Sequence, residues 1–184
     1  AHGLPIEGKE RIARVLDALR SHALDANTLV FSTSHNGAPN YIGLPDVNDP
    51  FRGWKISFFE GGIHVPYFAK WPARIAPGSV YEAPVQGFDI FATAAAAAGV
   101  PLPGDRAIDG VDLVPFVRGE REGEPHRALF WRSGHYRAAR IDGWKLQVNE
   151  RPPGTTWLFD LENDPTERTN LAEREPERVA SMRR

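Results

Sequence analysis

The stretch Phe51-Arg-Gly-Trp-Lys-Ile-Ser-Phe-Phe-Glu-Gly-Gly-Ile-His-Val-Pro66 is an apolar run that carries a lysine, Lys55, and a glutamate, Glu60. Because an ammonium or a carboxylate is costly to bury without a partner, these two side chains are not ordinary core residues. The paired glycines at 61 and 62 permit unusual backbone conformations or the close approach of another group. The run therefore predicts a site loop that leads into a strand, with Lys55 held towards an anion. The alternative is a surface turn with a solvated lysine.

Upstream of this run, a helix and a strand predict an α/β sheet. Residues 10–24 place Ile12, Val15, Leu16, Leu19 and Ala23 on one helical face. The nearly continuous apolar run 28–33 is typical of a strand buried on both faces, so we expect a sheet with a parallel core. Ligands collect beyond the carboxyl ends of such strands, where Ser34-His35-Asn36-Gly37 follows.

Downstream, residues 88–99 predict a helix with Phe88, Phe91, Ala92 and Ala95 on one face, and residues 111–118 predict a short one. A charged linker, 118–127, marks a boundary between domains 1–118 and 119–184. The second domain contains short apolar runs split by turn residues, including the hairpin signal at 142–143. We expect a small antiparallel sheet of four strands, followed by a helix from Pro176.

Within this second domain the strand 144–148 alternates, which predicts a buried face of Trp144, Leu146 and Val148 and an exposed face of Lys145 and Gln147. The tryptophans at 131, 144 and 157 are expected in the core. A basic cluster on the first hairpin is either a solvated face or the rim of a cleft for an anionic substrate. Its members are Arg132, His135, Arg137 and Arg140.

Composition limits the classes of function. The 184 residues carry a formal net charge of -2, with 22 Lys and Arg scattered among 24 Asp and Glu. A nucleic-acid partner is therefore not expected, because such proteins usually show a basic stripe. No apolar run is long enough to span a bilayer, so no membrane partner is expected either. The cysteine count is 0, which excludes a disulfide framework and a thiolate metal site within the sequence.

Several segments, in order, resemble the sulfatase family. Phe59-Glu-Gly-Gly-Ile-His-Val-Pro66 with Trp71-Pro72 resembles that family's Glu-Gly-Gly segment and the Trp-Pro that follows it. Asn27 to Gly37 is similar to its strand and metal loop, and Phe88 to Pro101 to its next helix. Residues 109–113 resemble the segment after that helix, and residues 143–146, 158–165 and 170–172 resemble the family's C-terminal signature. The resemblance covers nearly the whole chain.

The resemblance implies roles for three residues. Lys55 falls on the family's lysine that contacts the sulfate ester, and is the expected catalytic and substrate-binding residue. Asn36 and His35 fall on the pair that helps to bind a divalent cation, usually Ca²⁺. An amide oxygen suits a hard cation, whereas an imidazole in place of a carboxylate does not, so His35 is either a partial metal ligand or a loop histidine.

The family's nucleophile is a formylglycine made in a Cys/Ser-x-Pro-x-Arg motif, which this sequence lacks. We therefore expect formylglycine, and two further metal-binding aspartates, only in a missing upstream segment. The fold implied is the C-terminal part of an alkaline-phosphatase-like α/β sandwich with a small antiparallel sheet.

The function implied is hydrolysis of sulfate monoesters, of a small molecule or a sulfated sugar, in the complete protein. This chain alone is expected to be inactive. A non-catalytic fragment or subunit that binds a sulfated ligand or a partner chain is the alternative, and a related phosphate or phosphonate ester hydrolase is a third. A sheet without its upstream strands exposes an edge, so we expect a missing N-terminal half or self-association.

The remaining charged residues of these motifs have expected structural roles. Glu60 is expected to anchor its loop by accepting hydrogen bonds from backbone or basic groups. His64 is expected to be structural or to contact a partner, and Asp89 and Asp109 to mark a helix start and a turn.

Overall fold

A computed structural model describes residues 6–44 and 46–184, with side chains from residue 9 onwards. The regular elements follow one another as α1 Ile6–Ser21, β1 Val30–Thr33, α2 Glu60–Ile63, β2 Tyr67–Lys70, α3 Asp89–Ala97, α4 Val114–Val117, β3 Ala128–Ser133, β4 Tyr136–Ile141, β5 Trp144–Asn149, β6 Thr155–Asp160 and α5 Pro176–Met182. Short 3-10 turns occupy Asp25–Asn27 and Asn40–Ile42. No helix among the described residues is long and apolar enough to cross a membrane.

The chain forms two compact units that are discontinuous in sequence. Among the described residues, the first unit comprises 6–33 and 66–126, and the second comprises 34–65 and 127–184. Both loops singled out by the sequence therefore belong to the second unit. The domain boundary expected at residue 118 stays a prediction.

The sheet of the first unit differs from the expected parallel core. β1 pairs antiparallel with β2, with Val30 opposite Lys70 and Thr33 opposite Tyr67. Neither strand contains a fully buried residue, so the expectation of a strand buried on both faces is also wrong. The apolar run correctly indicated a strand, but a run of four to six residues does not specify its partner or the direction of pairing.

Helix α3 forms where predicted, with a different buried face. Asp89, Ala92 and Thr93 are buried, whereas Phe88 and Phe91 are 45% and 55% exposed. The Asp89 carboxylate accepts the backbone N–H groups of Gln86 and Val111, and His126 Nε2 lies 2.9 Å from each of its oxygens. Asp89 therefore marks the start of the helix, as expected, and also joins that start to two later segments.

The second unit contains the predicted antiparallel sheet, in the order β3-β4-β5-β6. Asp142 and Gly143 both have positive φ, 47° and 78°, which matches the tight hairpin that their sequence predicted. The buried apolar residues of this unit are Leu129, Ala138, Ala139, Leu146, Leu158, Phe159 and Leu161. The three tryptophans expected in its core are only partly buried.

Strand β5 is buried on both faces. Lys145 and Gln147 are 0% exposed and Leu146 is 3% exposed, so the predicted solvent face of this strand is wrong. The reason is that the loop containing Glu60 covers the face that carries the polar side chains, as the contacts below show.

Candidate functional site

Lys55 lies in a tight turn. The N–H of Ser57 donates to the carbonyl oxygen of Trp54 over 3.0 Å, and the Ser57 hydroxyl donates to the same oxygen over 2.8 Å. Ile56, at the third position of the turn, has φ +86°, a region that β-branched residues rarely adopt. The Lys55 side chain is partly exposed, and no described carboxylate forms an ion pair with it.

The turn is joined to the segment that carries His35 and Asn36. The Lys55 N–H donates to the carbonyl oxygen of Ala38 over 3.1 Å, and the Gly37 N–H donates to that of Gly62 over 2.9 Å. Asn48 reinforces the junction. Its side-chain oxygen accepts a hydrogen bond from the Ala38 N–H, and its side-chain nitrogen donates to the carbonyl oxygens of Ala38 and Gly53. Two segments that the sequence could only list in order are therefore neighbours.

Close backbone approach at this junction requires glycine. A Cβ on Gly37 would lie 1.8 Å from the carbonyl oxygen of Gly61, and a Cβ on Gly62 would lie 2.2 Å from that of Ser57. These separations are far below van der Waals contact. The glycines of this motif therefore allow backbone segments to approach each other closely, which is one of the two explanations that the sequence left open.

The residues expected to bind a cation do not form a complete site by themselves. The Asn36 side-chain nitrogen donates to the carbonyl oxygen of Gly37 over 2.7 Å, and His35 is exposed. The described part of the chain contains no group of three or more His, Cys, Asp or Glu that could hold a metal ion. One amide oxygen and one imidazole are too few for the six to eight oxygen ligands that Ca²⁺ takes.

A buried ionic network, which the sequence did not predict, joins Glu60 to strand β5. The Lys145 ammonium lies 2.7 Å from Glu60 Oε1 and 2.9 Å from Glu167 Oε1. The second oxygen of Glu167 accepts the backbone N–H of Glu60 over 2.5 Å. Glu60 thus anchors its loop, as expected, with Lys145 as the partner.

The two carboxylates of this network differ in their electrostatics. Burial would raise the pKa of Glu60, but the hydrogen bond from His64 and the charge of Lys145 outweigh burial and lower this pKa to about 2. Burial raises the pKa of Glu167, and Lys145 offsets only part of that rise. His64, which is half-exposed, reaches Glu60 Oε2 through Nδ1 over 2.8 Å and stacks on Phe51.

Two further side chains extend the network to strand β4. Gln147 donates to Glu167 Oε1 over 2.9 Å and accepts the hydroxyl proton of Tyr136. The Tyr136 oxygen in turn accepts the N–H of Phe58 over 3.3 Å, and the two rings are 4.5 Å apart. Burial raises the pKa of Tyr136 to about 12, so its hydroxyl stays protonated at neutral pH.

The basic cluster of the β3–β4 hairpin lies elsewhere on the second unit. Arg132, His135 and Arg137 are exposed, and Arg137 pairs with Glu150. Three exposed members, one of them paired with Glu150 directly after β5, are in keeping with a solvated face, one of the two expectations; Arg140 is partly buried.

With this geometry established, comparisons place the chain among known proteins. The model of the sulfatase family matches residues 10–100. The chain is 35% identical to the steryl-sulfatase of Mus musculus over 202 residues, which cover 90% of this chain and 32% of that protein. It is 34% identical to the N-acetylgalactosamine-6-sulfatase of Mus musculus over 145 residues, 76% of this chain and 27% of that protein.

A solved structure, the PsFucS1 sulfatase from Pseudoalteromonas sp., superimposes with a TM-score of 0.75 at 26% identity, over 90% of this chain and 37% of that one. The fold is that of the alkaline-phosphatase-like superfamily, as predicted for its C-terminal part. Within that superfamily, the chain belongs to the sulfatase family. It spans about a third of the length of the steryl-sulfatases it matches.

Proposed function

We propose that the protein hydrolyses sulfate monoesters and that Lys55 binds the sulfate group. The observation that carries this proposal is a partly exposed lysine on a tight turn. It has no carboxylate partner among the described residues, and backbone hydrogen bonds join its turn to the Asn36 segment. A fixed positive charge at that point would stabilise the negative charge that develops on the sulfuryl oxygens as the ester bond breaks.

In this proposal the chain supplies only part of the catalytic machinery. Its sequence contains no cysteine and no Ser-x-Pro-x-Arg run from which a formylglycine nucleophile could be made. The nucleophile would come from a segment outside these 184 residues. The 184-residue chain alone is therefore proposed to be inactive towards aryl sulfates.

A divalent cation, Ca²⁺ by the family resemblance, is part of the same proposal. Asn36 would supply one oxygen ligand, and His35 would stand beside it without adding a hard oxygen donor. The remaining ligands would come from the same outside segment as the nucleophile. The role of the chain towards the cation is thus to present Asn36 close to Lys55.

The substrate class follows from the relatives. The two relatives compared above are, by name, a steryl-sulfatase and an N-acetylgalactosamine-6-sulfatase, and the stretches that match this chain are 35% and 34% identical to it. We therefore propose a sulfate ester of a small molecule or a sugar as substrate.

The alternative is a non-catalytic sulfatase-like chain that binds a sulfated ligand or a partner. Large apolar side chains are exposed on the first unit, among them Phe68 at 64%, Val80 at 78% and Phe91 at 55%. Such side chains favour association with another protein segment, either an N-terminal half or a second copy.

Activity measurements on two forms of the protein separate these functions. The 184-residue chain and the longest native product of the gene are each assayed with 4-nitrophenyl sulfate and 4-nitrophenyl phosphate. We expect sulfate hydrolysis by the native product, reduced about 100-fold or more by Lys55→Ala and unchanged by Lys9→Ala, a substitution of an exposed lysine on α1.

Robust hydrolysis by the 184-residue chain that depends on Lys55 would contradict the proposed division of the site. A native product that binds sulfated sugars saturably without turnover would favour the non-catalytic alternative. Preference for the phosphate ester would point to the phosphate or phosphonate hydrolase.

A further inference from the structure

Both ends of the loop that carries Lys55 are held by one residue, Glu167. At the start of the loop, Arg52 Nη1 donates to the backbone carbonyl oxygen of Glu167 over 3.2 Å. At its end, the Glu60 N–H donates to the Glu167 carboxylate. The two ends also meet each other, because the Gly61 N–H donates to the carbonyl oxygen of Arg52 over 2.7 Å. We call residues 52–60 the lysine loop.

Glu167 is itself fixed from strand β5. Its Oε1 accepts hydrogen bonds from Lys145 Nζ and Gln147 Nε2, over 2.9 Å in each case, and all three side chains are 0% exposed. Lys145 binds the loop directly as well, through Glu60 Oε1. Lys145, Gln147 and Glu167 are named here the Glu167 clamp.

Around Lys145 the buried carboxylates outnumber the ammonium groups. Two buried carboxylates, Glu60 and Glu167, share the single ammonium of Lys145. The half-exposed His64 imidazole contacts Glu60, and the Arg52 guanidinium donates to the backbone carbonyl oxygen of Glu167, not to its carboxylate. Without Lys145 the two carboxylates would repel each other, and Glu60 would move away from Glu167. Since the lysine loop ends at Glu60, such a movement would displace the turn that presents Lys55.

We infer that Lys145 is a positioning residue for the sulfate group: through the Glu167 clamp, strand β5 sets the place of the lysine loop and hence of the Lys55 ammonium. This inference rests on the proposed function for the ligand of Lys55. The movement of the loop can be measured without any ligand.

The experiment uses the whole 184-residue chain and a charge-balanced variant, Lys145→Met with Glu167→Gln. This variant removes the ion pairs that Lys145 forms with Glu60 and Glu167. Because Glu167 is neutral in it, no two carboxylates are left to repel each other and unfold the chain. The matched control, Lys70→Met with Asp25→Asn, removes a lysine–carboxylate pair from the first unit. Lys145→Arg keeps a cation between the two carboxylates and is the conservative rescue.

Two quantities are measured for each variant. The first is amide hydrogen exchange at Lys55 and Gly61, with Leu146 in β5 as an internal reference for the fold. The second is binding of inorganic sulfate by titration followed by NMR, with Lys55→Ala as the test of site. In the charge-balanced variant we expect exchange at Lys55 and Gly61 to become about tenfold faster relative to Leu146, and sulfate affinity to fall about tenfold. The control and Lys145→Arg should stay close to the wild type.

Wild-type exchange and sulfate affinity in a folded charge-balanced variant would overturn the inference. Should that variant not fold, Gln147→Met removes one hydrogen bond on Glu167 and no charge, and must change both quantities in the same direction; unchanged values would again refute the clamp. Faster exchange in the variant, together with no Lys55-dependent sulfate binding by the wild type, would refute the proposed ligand while supporting the clamp.

Discussion

The backbone N–H of Lys55 donates to the carbonyl oxygen of Ala38 over 3.1 Å. This bond joins the sulfate-binding candidate to the segment of the cation-binding candidate within the second unit. The two motifs therefore share one junction, where backbone groups of the two segments approach each other closely.

The first prediction concerns Gly37 at this junction. We expect Gly37→Ala to lower the free energy of unfolding by about 1–3 kcal/mol, because its Cβ would lie 1.8 Å from the Gly61 carbonyl oxygen and must push the two segments apart. Urea unfolding followed by tryptophan fluorescence measures the change. Gly87→Ala is the control, since a Cβ there meets no atom within 4 Å. Equal effects of the two substitutions would contradict the close approach.

The second prediction concerns the turn that presents Lys55. Ile56 has φ +86° and is 76% exposed, so its side chain adds strain and little burial. We expect Ile56→Gly to raise the free energy of unfolding by about 0.5–1 kcal/mol, since relief of the left-handed strain exceeds the entropy that glycine adds to the unfolded chain. The same unfolding assay applies.

Val80→Gly provides the comparison for Ile56, because Val80 is 78% exposed and is not among the residues with positive φ. That substitution should lower stability slightly. If Ile56→Gly is as destabilising as Val80→Gly, the Ile56 side chain holds the turn and the strain argument is wrong.

These residues also show how far the sequence alone reached. The hairpin at Asp142-Gly143 and helix α3 depend on local signals, and both were predicted correctly. Alternation along β5 indicated two faces but not that the lysine loop covers the polar one, so Lys145 was assigned to solvent. A buried Glu60 required a partner by its charge alone, yet Lys145 lies 85 residues away in sequence and no local pattern connects them.

The direction of strand pairing was lost for a similar reason. An apolar run indicates burial and length, but it does not specify the partner strand or the direction of pairing, and β1 pairs antiparallel with β2. The three predicted site residues, Lys55, Asn36 and His35, stay predictions for their chemistry. The structure shows that Lys55 and the Asn36 segment are adjacent, which could not be inferred from the order of the motifs in the sequence.

The third prediction is a pH dependence set by Glu60. Its pKa is lowered from 4.5 to about 2 in the folded chain, so it adds stability that is fully present above pH 4.5 and is lost as the pH falls towards 2. The raised pKa of Glu167 acts with the opposite sign, favouring the folded state at low pH and less so as the pH rises. We expect Glu60→Gln to remove much of the acid-side loss of stability.

Unfolding in urea from pH 2 to pH 6 measures this effect. The gap between wild type and Glu60→Gln should be a few kcal/mol near pH 6 and should shrink towards pH 2. Glu82→Gln, at an exposed carboxylate, should leave the acid slope unchanged. A gap that stays constant over this range would mean that Glu60 contributes through shape and hydrogen bonding and not through its charge.

The fourth prediction compares two tyrosine hydroxyls, those of Tyr67 and Tyr136. The Tyr67 hydroxyl is buried without a hydrogen-bond partner among the described residues, whereas that of Tyr136 donates to Gln147 and accepts from Phe58. Burying a hydroxyl without a hydrogen-bond partner costs its desolvation free energy without compensation, whereas removing a paired hydroxyl leaves its partners without a hydrogen bond.

We expect Tyr67→Phe to be neutral or stabilising by up to about 1 kcal/mol, and Tyr136→Phe to destabilise by about 1–2 kcal/mol. Because the chemical change is the same in both variants, thermal and urea unfolding compare them directly, and similar losses at both positions would show that Tyr67 has a hydrogen-bond partner in solution.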